Sequence, residues 1–126
     1  MAFLPSKDRH YLSERGLAFE EVVSGSINGV VFPQWALPAG YFDHAAASLL
    51  IVIPNGYPDL PPDMFYVNPW IKLAATGKYA RCADQPYDFN TIRWQRWSRH
   101  NKDWRRGIDG IKTMLKRVEH ALAEAK

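Results

Sequence analysis

"YPDLPPDMFYVNPW" (57–70) is the stretch on which the reading of this chain turns. Only Asn55-Gly56 separates it from the apolar run "ASLLIVIP" (47–54), and it places prolines at 58, 61, 62 and 69. Proline fixes its own φ and drives the residue before it toward extended backbone. Tyr57, Leu60 and Pro61 each precede a proline, so the stretch is stiff where a loop would be flexible. Such a crossing is expected to hold one shape beside something that depends on it.

Outward from it, the elements fall in order. "AASLLIVIP" (46–54) is apolar without alternation, the pattern of a central strand covered on both faces. "MFYV" (64–67) is a short strand on the far side of the crossing. Upstream, "SKDRHYLSERG" (6–16) predicts a short helix with Ser6 as N-cap and Gly16 as terminator. "AFEEVVS" (18–24) and "VVFPQWALP" (30–38) read as strands joined by a turn at Asn28-Gly29, with Pro33 and Pro38 marking bends or an edge. Residues 68–103 show no sustained period and read as a long irregular segment, which in a compact domain is usually functional. Trp104, Ile108, Ile111, Leu115, Val118 and Leu122 then step by three and four, predicting a helix over 104–122 with one apolar stripe. Gly107 and Gly110 fall in its first turns, where close packing against the sheet is expected. The expected fold is α+β: an antiparallel meander of about four strands, with an N-terminal helix and a long C-terminal helix packed on it.

The bounds agree with one domain over 1–126. The chain is long enough to bury a core without disulfides, and 13% aromatic residues argue against disorder. No apolar run approaches membrane length, and "MAFLPSKDRHYLSERG" lacks the layout of a signal peptide. With Cys82 as the single cysteine there is no internal disulfide or cysteine-based metal cluster, and the cytoplasm is the expected compartment. His10, His44, His100 and His120 share no ligand spacing, so neither a metal nor another cofactor is expected. The net charge of +3 hides an asymmetry: residues 1–90 hold 6 Lys/Arg against 9 Asp/Glu, and residues 91–126 hold 10 against 4. A basic C-terminal third meets an acidic partner or a nucleic acid, or is a solvated helix face.

Helix, meander, long segment with one cysteine and packing helix is an order with a precedent. Together with Tyr57-Pro58, Pro61-Pro62, Cys82 downstream and Trp97-Ser98 before a helix, it resembles the ubiquitin-conjugating (E2) superfold over roughly residues 15–122. The tail "RWQRWSRHNKDWRRGIDGIKTMLKRVEHAL" (93–122) is similar more specifically to a bacterial E2-like branch of ubiquitin-like modification systems. The resemblance implies a carrier that accepts a ubiquitin-like protein from an E1-like adenylating enzyme as a cysteine thioester and passes it to an amine on an acceptor protein. It also implies that the N-terminal helix, residues 6–15, docks the E1. Eukaryotic members carry His-Pro-Asn shortly before the cysteine. This chain does not; "NPW" (68–70) keeps an Asn-Pro pair fourteen residues upstream of Cys82.

Transthioesterification needs a thiolate nucleophile and a leaving group that departs without a metal. Cys82, in "KYARCADQP" (78–86), is the expected nucleophile, with Lys78 and Arg81 favouring thiolate and Asp84 opposing it. His100, in "SRHN", is the candidate base or amine-orienting group, and Asn68 the candidate replacement for the family asparagine. Trp94, Trp97 and Trp104 are expected to pack the core and hinge. Two other readings stay open. One is an inactive E2 variant that binds a ubiquitin-like protein without carrying it. The other, disfavoured because no nucleic-acid motif accompanies them, is a surface on which the arginines between those tryptophans meet nucleic acid.

Overall fold

The computed structural model describes residues 3–100 and 102–126. Helix α1 (Ser6–Glu14) starts one residue earlier than expected, with Pro5 instead of Ser6 in the N-cap position, and ends where Gly16 allows it. Gly16 takes φ +65°, its N–H reaches the Ser13 carbonyl, and the Leu17 N–H reaches that of Leu12. This pair of bonds satisfies carbonyls that would otherwise be left open at the helix end.

Strands β1 (Glu20–Ser24), β2 (Ile27–Ala36), β3 (Ala46–Ile53) and β4 (Phe65–Asn68) form the expected meander, but the sheet does not stop there. β5 (Gln85–Phe89) and β6 (Ile92–Trp97) complete six antiparallel strands in the order β1-β2-β3-β4-β6-β5. The segment read as irregular thus contains a hairpin, and the expected four strands are six. Its turn, Asn90-Thr91, has both residues at positive φ, a two-residue hairpin geometry reached here without glycine. Pro86 is tolerated because β5 is an edge strand.

The first hairpin also turns elsewhere than expected. Gly25-Ser26 makes the loop, with Gly25 at φ +62° and Ser24 paired to Ile27. Asn28 and Gly29 lie inside β2. A Cβ on Gly29 would stand 2.6 Å from the Phe89 ring and 2.8 Å from a Leu50 methyl, so glycine serves close approach there, not a turn. That contact reveals the curl of the sheet: the β5–β6 tip folds back over β2 and β3, and the Asn90 N–H reaches the Ser24 hydroxyl. Leu50, Tyr66, Phe89 and Trp94 form a small core beneath it. β3 is covered on both faces, as its unalternated sequence predicts.

The opposite face carries the main core, where Leu49, Ile51, Phe65 and Trp97 meet Leu12 of α1 and helix α2 (Ile111–Ala123). α2 begins seven residues later than its stripe suggests. Gly107 takes φ +77° in a turn, and Ile108 is 60% exposed, so neither Ile108 nor Trp104 belongs to the helix. Ile111, Leu115, Val118 and Leu122 are buried as predicted, joined by Met114. The start of α2 is capped from another element. The N-cap residue is Gly110, which has no side chain to offer, and the Asp8 carboxylate of α1 accepts the Ile111 N–H instead. Tyr57, first residue of the proline crossing, donates its hydroxyl to the same carboxylate. A Cβ on Gly110 would stand 2.8 Å from that carboxylate, so only glycine leaves room for it. Among the described residues, no helix is long and apolar enough to cross a membrane.

Candidate active site around Cys82

The connection from β4 to β5 is irregular but tightly held. Its anchor is Gln95 of β6, a fully buried polar side chain whose bonds are all accounted for. Gln95 Oε1 accepts the Ile71 N–H at 2.9 Å, and Nε2 donates to the carbonyls of Ile71 at 3.0 Å and Ala83 at 2.7 Å. Buried polar groups are stabilising only when satisfied in this way, and here the satisfaction fixes the residue next to Cys82. Ala80 and Ala83 are buried on either side, while Cys82 itself is exposed.

Cys82 sits at φ +57°, the left-handed region that ordinary residues avoid at a cost of about 1–2 kcal/mol. The surroundings overrule that cost: the Ser98 N–H donates to the Cys82 carbonyl at 3.0 Å, and the Arg81 N–H donates to the Lys126 carbonyl at 2.8 Å. The Tyr41 hydroxyl holds the neighbouring Ala125 carbonyl, so the chain segment after α2 is part of the clamp. A strained, exposed, clamped cysteine is where function is sought first.

Because Ser98 grips Cys82, the residues after it are delivered to the same place. Cys82, Ser98, Arg99 and His100 all line one groove of about 1080 Å³, whose far wall is α2. His100 Nδ1 lies 2.8 Å from a carboxylate oxygen of Asp63, also in the groove. A carboxylate there selects the tautomer with the proton on Nδ1 and leaves Nε2 free to accept one. The Arg99 guanidinium lies over the Trp97 indole at 5.2 Å. Burial lowers its pKa, with Cys82 working against the shift and Arg81 with it.

The crossing at 57–70 therefore serves two sites. Tyr57 secures the start of α2, and Asp63 reaches His100. Of the expected site residues, Cys82 and His100 come together in the groove. Asn68 closes β4, paired with Ser48, and does not line it. Trp94 and Trp97 are core, as expected, and Trp104 is partly buried with its indole N–H on the Pro58 carbonyl at 2.7 Å. Asp63 and Gln95 escaped the sequence reading. Asp63 had a signal, being the acid that ends the stiffened crossing; Gln95 had none without knowledge of β6.

An exposed thiol, an imidazole oriented by a carboxylate and a guanidinium in one open groove suit acyl transfer to and from sulfur. The family model for prokaryotic E2 family E matches residues 4–125, nearly the whole chain. No curated protein and no solved structure gives a significant match. The chain belongs to prokaryotic E2 family E.

Proposed function

We propose that this protein is a thioester carrier: it accepts a ubiquitin-like protein from an E1-like enzyme on Cys82 and passes it to an amine on an acceptor protein. The observation that carries this reading is the clamped, exposed Cys82 sharing a groove with the Asp63–His100 pair. In loading, the Cys82 thiolate attacks the carbonyl of the E1 thioester, the new C–S bond forms, and the E1 thiolate leaves. In discharge, an amine attacks that carbonyl, the C–S bond to Cys82 breaks, and His100 Nε2 takes the amine proton while Asp63 stabilises the imidazolium. Arg99 offers positive charge beside the oxyanion that each step develops. Asn68 lies outside the groove lining and is given no step; Asn68→Ala is expected to leave loading and discharge within about twofold of wild type.

The E1 would meet α1, as the resemblance implies, and Lys7 is its exposed cation. Arg9 is already committed to Glu21 at 3.2 Å, and Glu21 also accepts the Phe3 and Leu4 N–H groups. Lys7→Glu should therefore slow loading without unfolding the protein, whereas Arg9→Glu should do both.

The test is direct. With E1, modifier and ATP, wild type should gain one modifier that reductant removes. Cys82→Ser should form a slower, reductant-resistant, alkali-labile ester, and Cys82→Ala nothing. Loading of Cys82→Ala at the wild-type rate would refute the assignment. Failure of wild type to load from a demonstrably charged E1 would leave the inactive-variant reading, which the missing His-Pro-Asn favours.

A further inference from the structure

The charge asymmetry of the sequence resolves into two populations of cations. Arg9, Arg93, Arg105 and Arg106 are paired with Glu21, Asp88, Asp109 and Asp59. The second population lines the groove: Arg81, Arg99, Lys116, Arg117 and Lys126 all face it, and among the described residues none forms an ion pair with an Asp or Glu side chain. Its two acidic side chains are engaged by histidines, Asp63 by His100 and Glu124 by His120. Arg117 is partly buried with its Nε lacking any partner. Positive charge gathered in a concave site without internal partners is complementary to an anionic ligand.

We propose that this groove takes an acidic C-terminal tail of the modifier, an extended segment bearing aspartate or glutamate just before the residue whose carbonyl joins Cys82. The proposal rests on the carrier reading, which places that carbonyl at the thiol and so sends the preceding residues along α2. The groove wall from Thr113 to Ala123 is about 15 Å long at 1.5 Å per helical residue, room for about four or five extended residues. A tail of that length passes Lys116 and Arg117 on α2 and Arg81 beside the thiol. A neutral or basic tail would leave these cations unpaired.

The probes are three fluorescein-labelled peptides ending in a glycine amide and differing only in carrying glutamate, glutamine or lysine directly before that glycine. By anisotropy at low salt the glutamate peptide should bind about tenfold tighter than the glutamine one, weakening as salt rises. It should also slow alkylation of Cys82 by iodoacetamide. Arg81→Glu with Lys116→Glu, both exposed positions, should abolish the preference; Arg81→Gln with Lys116→Gln gives the same readout if the reversal unfolds the protein. Equal binding of the glutamate and glutamine peptides, or binding that leaves alkylation unchanged, overturns the proposal. A single-stranded oligonucleotide that binds tighter and displaces the glutamate peptide overturns it in favour of a nucleic-acid surface. The carrier reading fails separately, when a charged E1 does not load Cys82, and the peptide result does not depend on that assay.

Discussion

Two places in the molecule receive a residue from the same proline crossing and use it in opposite ways. At the start of α2, Tyr57 and the Ile111 N–H both spend their protons on Asp8, a 6%-exposed carboxylate held where Gly110 leaves space. Around Cys82, Asp63 meets an exposed imidazole in an open groove lined by cations that have no acids of their own. The first site is saturated with internal partners, and its chemistry is spent on the fold. The second is left unsatisfied toward solvent, as expected of groups held for a ligand. If this contrast is correct, substitutions at the two sites should separate stability from reactivity.

The largest effect is expected at the saturated site. Asp8→Ala removes the cap of α2 and strands the Tyr57 hydroxyl, for a loss of about 2–4 kcal/mol. Gly110→Ala should cost about 1–2 kcal/mol by displacing the same carboxylate, although φ −158° is open to alanine. The double variant should lose less than the sum, because without Asp8 the alanine methyl has nothing to displace. Urea unfolding measures all three. Additive losses would mean that Gly110 matters for a reason other than Asp8.

A smaller, acid-confined effect is expected next to it. Asp109 accepts bonds from the Arg105 side chain and backbone N–H and from Thr113, and these hold its pKa down at about 2. A carboxylate whose pKa is lower folded than unfolded contributes stability that is complete above its unfolded value. That contribution fades as pH falls from about 4 through about 2. Asp109→Asn should be less stable than wild type at pH 7 and should converge with it toward pH 2. A constant difference across that range would show that folding leaves the pKa of this carboxylate unchanged.

The sequence made these regions unequally legible. β3 could be read because a strand buried on both faces is apolar throughout. The buried stripe of α2 could be read because four of its predicted positions face the core. The start of α2 could not, since Ile108 continues the spacing while Gly107 at positive φ ends the helix before it begins. Pro86 and a glycine-free turn hide the β5–β6 hairpin from a local reading, and Asn28-Gly29 mimics a turn because Phe89, which Gly29 makes room for, lies sixty positions away. For the site, Cys82 and His100 were visible as residue types. Asp63, Gln95 and the clamp on Cys82 arise only when β6 pairs beside β4, a non-local event that no local pattern records.

The smallest effect tests whether the backbone at Cys82 is strained for use. At φ +57° any residue with a Cβ costs about 1–2 kcal/mol, while glycine avoids that cost but gives back about 0.5–1 kcal/mol through its freer unfolded chain. Cys82→Gly should therefore stabilise the fold by up to about 1 kcal/mol while abolishing every thioester. A β-branched Cys82→Val should move the other way, because such residues tolerate this conformation least. The two variants share the Ser98, Arg81 and Gln95 anchors, which bind backbone alone, so any difference between them reports conformation and not lost contacts. Equal stabilities for Gly, Cys and Val at this position would show that the loop relaxes freely. The exposed thiol would then sit in an ordinary turn, and the contrast with the saturated junction would reduce to exposure alone.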